Sequence, residues 1–272
     1  MENKWLTIVE KEGEVVLTKC SEEATGEIVI PHGVTSIGFC AFADCTGLTS
    51  VVIPDSVTRI ESGAFNMCLG LTTLNIPKGV TSIGGSAFSL EGNNLESIRV
   101  EDGNPVYDSR NDCNAIIETA TDKLITGCKN TIIPDGIKVI GAWAFWGCPG
   151  LTSVLIPESV TEIGDFAFNE CSGLASVHIP DNVAIIGDEA FSGCSGLVSI
   201  NIPKGVITIN GNPFNCENLE SIRVVDDNKV YDSRNDCNAI IETATDKLIA
   251  GCKNTIIQME SESSKRGLSV AV

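Results

Sequence analysis

The sequence predicts a repeat solenoid that is mainly β, in which coils of about 23 residues stack and β-hairpin inserts interrupt the stack. Three observations favour this fold class. An Ala-Phe dipeptide returns at a constant spacing, a corner proline keeps the same spacing, and residues 106–133 and 230–257 are nearly identical. Self-similarity with a period of about 20–50 residues is typical of stacked repeat architectures.

The composition fits a folded chain with a sizeable core and many turns. Of the 272 residues, 43% are hydrophobic, 20% are charged and 26 are glycine. The net charge of −18 repels phosphate backbones, so no nucleic acid is expected as a partner. The sequence holds no apolar run of about 18 residues, the length typical of a membrane-spanning helix, so no membrane span is expected.

One unit accounts for most of the chain, with the consensus Ile-Pro-x-x-Val-Thr-x-Ile-Gly-x-x-Ala-Phe-x-x-Cys-x-x-Leu-x-Ser-Val. Its phenylalanine position is occupied at Phe42, Phe65, Phe88, Phe145, Phe168, Phe191 and Phe214. The alternation in Leu-x-Ser-Val predicts a strand that ends at the corner proline, and a second short extended piece precedes the glycine. A single coil buries too little apolar surface to fold alone, so like residues are expected to lie over one another in one continuous stack.

A recurrent glycine follows the second extended piece in most coils. We expect it to supply a turn that needs either a positive φ or a close approach of backbones. Glu61 and Asn210 stand at this position in two coils, so the requirement is not absolute. The glycines concerned are Gly38, Gly84, Gly141, Gly164 and Gly187.

The segments that break the period divide the chain. Residues 1–27 predict an N-terminal capping hairpin, 28–100 a first block of coils, and 101–131 a β-hairpin insert. Residues 132–224 predict a second block, 225–257 a second hairpin insert that ends the solenoid, and 258–272 a disordered tail. The near-identical stretches differ only at Thr126 and Ala250, which indicates duplication of a whole block. A solenoid ending on a hairpin leaves an open strand edge that can pair with another chain.

The repeated motif resembles the BspA-like leucine-rich-repeat family over about residues 28–257. The resemblance implies a right-handed leucine-rich-repeat stack in a cell-surface or secreted protein. Some relatives bind host matrix proteins or other bacteria, so a protein ligand is implied. The first residues, Met1-Glu2-Asn3-Lys4-Trp5, lack the basic and apolar regions of a secretory signal, so a cytoplasmic location stays open beside an extracellular one.

No motif or spacing points to catalysis, a cofactor or a metal. The two histidines, His32 and His178, have no nucleophile to pair with. Asp226 and Asp227 with Asp232 could bind calcium weakly, but their spacing fits no loop template and favours a solvated loop. The coil cysteines lack Cys-x-x-Cys spacing and are interpreted as a ladder of buried free thiols. These are Cys45, Cys68, Cys148, Cys171, Cys194 and Cys216.

The outward strand positions are the candidate ligand-binding surface. One row varies from coil to coil, as a recognition surface should, whereas the neighbouring row is almost uniformly serine. The varied row is Val52, Asn75, Arg99, Leu155, His178, Asn201 and Arg223. A tolerant solvent face is the plain alternative. The functions considered are a non-enzymatic protein-binding scaffold for adhesion, to host matrix or another cell surface, and a structural protein that associates through its open edge. The first is expected to be a monomer, and the second to associate weakly edge to edge.

Overall fold

A computed structural model describes residues 4–88 and 94–256. Over these residues the chain is a mainly β solenoid of about 9 turns, about 23 residues apart, with almost no helix, and the predicted fold class is confirmed. The tail predicted at 258–272 lies outside the described residues.

The strands are short and follow the repeat. The first block contains β1 (Leu6–Lys11), β2 (Glu14–Cys20), β3 (Gly26–Val29), β4 (Ser36–Ile37), β5 (Leu48–Val52), β6 (Arg59–Ile60), β7 (Thr73–Ile76), β8 (Ser82–Ile83) and β9 (Ser97–Val100). The first insert contains β10 (Tyr107–Asp108), a 3₁₀ turn (Arg110–Asp112), β11 (Ala115–Glu118) and β12 (Lys123–Gly127). The second block contains β13 (Val139–Ile140), β14 (Glu162–Ile163), β15 (Ile185–Ile186), β16 (Ser199–Ile202), β17 (Thr208–Ile209) and β18 (Ser221–Val224). The second insert contains β19 (Tyr231–Asp232), a 3₁₀ turn (Arg234–Asp236), β20 (Ala239–Glu242) and β21 (Lys247–Gly251).

Two rows of parallel strands join successive coils. The strands before the recurrent glycine form the orders β2-β4-β6-β8 and β12-β13-β14-β15-β17. On the other side of each coil, β5 pairs with β3, β9 with β7 and β18 with β16. Register partners occupy the same repeat position, so that Ile60 pairs with both Ile37 and Ile83. Equivalent residues therefore lie directly over one another.

Phenylalanine ladders fill the interior. Phe42, Phe65 and Phe88 stack with ring centroids 4.9 and 5.2 Å apart, and Phe145, Phe168 and Phe191 with centroids 5.0 and 5.1 Å apart. Nearly parallel planes at these separations describe offset stacking, which aromatic pairs prefer. The Ala-Phe period is therefore the repeat of a continuous ring stack within each block.

The first insert divides the core into two clusters, which corrects the expectation of one continuous stack. Strand β11 is pleated, so its side chains alternate between faces. Ile116 packs into the cluster of the first block, whereas Ala115 and Ile117 pack into the cluster of the second. The hairpin thus lies between the two blocks and contributes a face to each.

Both inserts end a parallel row with a tyrosine. The Tyr107 hydroxyl accepts a hydrogen bond from the Ile83 N–H at 3.0 Å, and the Tyr231 hydroxyl accepts one from the Ile209 N–H at 3.0 Å. Each hydroxyl satisfies a strand donor that the next coil would otherwise have paired. The insert therefore replaces part of the missing ladder.

The recurrent glycines serve close backbone approach and not a positive φ. A Cβ added to Gly84 would lie 2.4 Å from the Ser62 nitrogen, and one added to Gly187 would lie 2.4 Å from the Asp165 nitrogen. The positive φ falls two residues later, at Ser86 (54°) and Glu189 (50°) in the same coils. Stacking forces the contact, because each glycine lies against the backbone of the preceding coil.

Candidate ligand-binding surface

The structure places all seven predicted ladder residues on the outer strand positions with exposed side chains. Asn75 is the register partner of Arg99, and Asn201 is the register partner of Arg223. An isolated parallel bridge joins Val154 to Val177, next to Leu155 and His178. Residues far apart in sequence are thus neighbours on one rigid face.

Three further residues belong to this row and escaped the sequence prediction. Val29 is the register partner of Val52. Ile132 precedes the corner Pro134 by two residues, as Leu155 precedes its corner proline, and Ile256 repeats Ile132 in the second insert. The position before Ile-Pro was the available signal, but the insert hid the 23-residue spacing. We call the full row the outer ladder: Val29, Val52, Asn75, Arg99, Ile132, Leu155, His178, Asn201, Arg223 and Ile256.

The outer ladder repeats one chemical order in the two blocks. An apolar pair comes first, then an asparagine, then an arginine. In the second block the apolar pair is Ile132 and Leu155, which are 74% and 79% exposed, and His178 stands between this pair and Asn201. Large aliphatic side chains so exposed on a rigid strand row are unusual on a soluble surface and mark interaction sites when they cluster.

The two arginines differ in their surroundings. Arg99 has no hydrogen-bond or ion-pair partner within residues 4–88 and 94–256. The Arg223 guanidinium lies 3.6 Å from the Asp236 carboxylate, but both side chains are largely exposed, so this pair contributes little stability. Both cations are therefore available to an anionic ligand group, on a chain whose net charge is −18.

Each arginine lies next to a cleft between the outer strand and the 3₁₀ turn of the following insert. The first cleft measures about 520 Å³ and includes Arg99, Asn111 and Asp112 in its lining. The second measures about 370 Å³ and is lined in part by Asn235 and Asp236. Both turns hold their Asn-Asp pair at positive φ, which presents exposed backbone and amide groups beside the ladder.

The serine row beside the outer ladder has a different hydrogen-bonding role from the one expected. Hydroxyl pairing between neighbouring strands would explain its uniformity. Instead the Ser50 hydroxyl donates to the Glu27 carboxylate at 3.2 Å, and the Ser221 hydroxyl donates to the Asn238 side chain at 3.3 Å. These two serines therefore bond to polar side chains of other types.

The coil cysteines are free thiols with a structural partner. The Cys171 thiol lies 3.1 Å from the Phe145 carbonyl oxygen, and the Cys194 thiol lies 3.1 Å from the Phe168 carbonyl oxygen. Each thiol thus donates to the phenylalanine of the preceding coil, a contact that spacing alone did not reveal. Burial raises the pKa of the Cys148 thiol to about 12, which keeps it protonated at neutral pH.

The polar residues of the inserts are held by one another. Arg110 donates to the carboxylates of Asp108 and Asp122 at 2.7 Å, and Arg234 pairs with Asp232 in the second insert. Burial acts to raise the pKa of Asp108, but the hydrogen bonds from Arg110 and Thr119 hold it below its ordinary value. Asp232, considered above for calcium, is therefore committed to an arginine. Across the described ranges, no group of three His, Cys, Asp or Glu side chains is placed to hold a metal ion.

The model of the BspA-type leucine-rich repeat region matches residues 19–111 and 123–238, in six copies. Among solved structures, a leucine-rich cell-surface protein from Faecalibacterium prausnitzii is similar at 35% identity and a TM-score of 0.64, covering 74% of this chain and 54% of that one. The pneumococcal vaccine antigen PcpA is similar at 22% identity and a TM-score of 0.63, covering 74% and 51%, and this likeness concerns the fold alone. The chain spans about half the length of these two structures.

None of the proteins with curated functional descriptions matches the chain. In the part of the chain that the structure describes, no helix has the length and apolar character that crossing a membrane requires.

Proposed function

Because the chain belongs to the family of BspA-type leucine-rich repeat regions, we propose that it is a non-enzymatic protein-binding scaffold at the bacterial surface or secreted from the cell. Its role is that of an adhesion or interaction module. A related structure is that of a leucine-rich cell-surface protein, which supports this location. A stacked solenoid offers a long preorganised face, and preorganisation lowers the entropic cost of binding a partner.

The outer ladder is the proposed binding face, and its repeated order of apolar pair, asparagine and arginine is the observation that carries the proposal. Stacking constrains the side chains inside each coil, but it leaves this row free to vary. The row nevertheless holds exposed aliphatic residues and unpaired cations in the same order twice. A protein ligand with an apolar group and a carboxylate complements each half.

The two halves have measurable dimensions. Neighbouring strands lie about 4.8 Å apart, so Val52 and Arg99 are separated by roughly 10 Å and Leu155 and Arg223 by roughly 14 Å. An extended peptide advances about 3.3 Å per residue. A matching segment therefore places its carboxylate about three to four residues from its apolar side chain.

Charge reversal tests the arginines. The double variant Arg99→Glu/Arg223→Glu should lose at least tenfold in affinity for the ligand found by screening purified extracellular-matrix proteins with biolayer interferometry. The matched control is Lys78→Glu/Lys204→Glu, which changes the net charge equally at two exposed corner lysines. Equal affinity losses in both double variants would reduce the effect to net charge and refute the assignment of the arginines.

The apolar pair has its own test. Ile132→Asp/Leu155→Asp should weaken the same binding, because it places charge where the ligand is expected to bury an aliphatic group. Ile207→Asp is the control, since Ile207 is 58% exposed on another row of the coil. Retained binding in the Ile132→Asp/Leu155→Asp variant would remove this part of the ladder from the site.

Edge association is the second candidate function. In the second insert, Cys237, Ala239 and Ile241 form a small buried cluster with the partly buried Leu248, separate from the main core. Such a cluster at a strand edge can be completed by another chain. Sedimentation velocity across a hundredfold range of concentration tests it, and a strictly monomeric chain throughout would exclude it.

A further inference from the structure

We propose that the outer face of the second insert is a preformed docking site for one more leucine-rich coil, supplied by another polypeptide segment of the same repeat chemistry. The proposal deepens the edge-association function and is independent of the outer ladder. It rests on comparing two hairpins with almost the same sequence, one of which has a coil packed on its outer face.

In the first insert the outer face is paired to the next coil by backbone hydrogen bonds. Strand β12 runs parallel to β13, with Lys123 opposite Val139 and Leu124 opposite Ile140. The Gly141 N–H donates to the Leu124 carbonyl at 2.8 Å. On the same face the Gly127 N–H donates to the Ala144 carbonyl, also at 2.8 Å. The hairpin thus serves as the first rung of the second block.

Apolar packing completes this contact. Cys113, Ala115, Ile117 and Leu124 are buried in the core cluster of the second block. The ring of Phe145 lies over Gly127, where an added Cβ would come within 2.2 Å of a ring carbon. Glycine is therefore required on the hairpin so that the first phenylalanine of the next coil can occupy the ladder.

The second insert presents the same groups with no coil over them. Its counterparts Cys237, Ala239, Ile241 and Leu248 form the separate small cluster, and Gly251, the counterpart of Gly127, is exposed. The sole difference between residues 106–133 and 230–257 is Thr126 against Ala250. Ala250 packs into the main core, on the inner face. The outer faces are therefore identical in sequence, and what binds one fits the other.

The chemistry of the face selects its occupant. It needs a short strand with free N–H and carbonyl groups at the spacing of Val139 to Gly141, followed three to four residues later by Ala-Phe. Residues 257–272 contain neither phenylalanine nor proline, so they do not carry the coil motif. A coil with the consensus Ile-Pro-x-x-Val-Thr-x-Ile-Gly-x-x-Ala-Phe supplies every matching group.

The test inserts a copy of residues 134–257 between Ile257 and Gln258, which leaves every native residue in place. The new junction from Ile257 to the copied Pro134 reproduces the native Ile133–Pro134 step. Hydrogen exchange at the Gly251 amide should slow by at least about 100-fold relative to the unmodified chain, because this donor gains the carbonyl that Ala144 provides to Gly127. The extended protein should also unfold with the native blocks in one transition.

Two variants identify the contact. Phe145→Asp in the inserted copy alone should abolish the protection of Gly251. Leu248→Asp in the native hairpin should do the same, and because Leu248 is already partly exposed, the unmodified chain carrying Leu248→Asp should keep its own unfolding midpoint. These two results together exclude loss of protection through unfolding of the hairpin.

Unchanged exchange at Gly251, with the inserted copy melting as an independent unit, would overturn the docking site. Sedimentation of the unmodified chain separates this result from edge association. A monomeric unmodified chain combined with protected Gly251 in the extended protein would refute self-association and support the docking site.

Discussion

Replacement of Phe168 by alanine tests whether the repeat is held by a ladder of stacked rings. Phe168 is fully buried and lies between Phe145 and Phe191, with centroid distances of 5.0 and 5.1 Å. Phe214 ends the same ladder, with Phe191 on one side at 5.7 Å. The two residues therefore occupy one repeat position but differ in the number of rings they contact.

The cost of each truncation follows from this difference. Replacing a buried phenylalanine by alanine lowers the free energy of unfolding by about 3–5 kcal/mol. A stacked aromatic pair contributes about 0.5–1.5 kcal/mol beyond the area it buries. Phe168→Ala loses two such pairs and should lie near 5 kcal/mol, whereas Phe214→Ala loses one and should cost about 1 kcal/mol less.

Urea unfolding followed by tryptophan fluorescence measures both values, because Trp143 and Trp146 lie in the same block as the ladder. Phe39→Ala is the control, since Phe39 is 72% exposed and its loss should change stability by less than about 0.5 kcal/mol. If Phe214→Ala proved as costly as Phe168→Ala, the rings would be acting as separate fillers and the stacking argument would fail.

Three further predictions concern the polar groups. Raising the pH from 8 to 11 should lower the urea midpoint, because the buried Cys148 thiol, with a folded pKa of about 12, disfavours the thiolate that the unfolded chain forms above about pH 8.5; an unchanged midpoint would contradict this. Arg110→Gln should cost about 1 kcal/mol at pH 7 and less at pH 3, because the lowered pKa of Asp108 stabilises the fold above the unfolded carboxyl pKa and loses that contribution as the pH falls. An equal deficit at both pH values would argue against this role. Tyr107→Phe should cost about 1 kcal/mol in urea unfolding and speed exchange of the Ile83 amide, and protection retained in the variant would show that another group satisfies that donor.

The fold was predictable because every coil imposes the same physical constraints. Phe65, for example, needs a ring above and below it, and the spacing of 23 residues places Phe42 and Phe88 there. Repetition therefore made a local pattern into a statement about tertiary contacts. The boundaries given for the blocks and inserts stay predictions, although antiparallel pairing of β1 with β2 and of β11 with β12 accounts for the hairpins within them.

Other features depended on contacts between coils that spacing does not encode. The glycine position allowed either a positive φ or a close approach, and only the position of the preceding coil decides between them at Gly84. The two-sided packing of the first insert depends on which face of β11 carries Ile116. Ile132 joins the outer ladder because the insert returns the chain to the strand row in register, a result of folding and not of constant spacing.

The outer ladder and the inserts obey different constraints, and this separates a binding face from a structural edge. A residue of the inner face, such as Ile240, contacts a coil on the adjacent layer, so substitution there costs stability. The outer ladder projects from the stack, so its sequence is free to drift without loss of fold. Asn75 and Asn201 nevertheless begin identical Asn-Ile-Pro-Lys-Gly-Val segments, and each pairs in register with an arginine. Two copies of one surface on a rigid stack can engage a repetitive or dimeric ligand at both places, and the linked second contact raises the apparent affinity well above that of either half. Single substitution of Arg99 or Arg223 should then weaken binding to a multivalent matrix protein far more than binding to its isolated monovalent fragment.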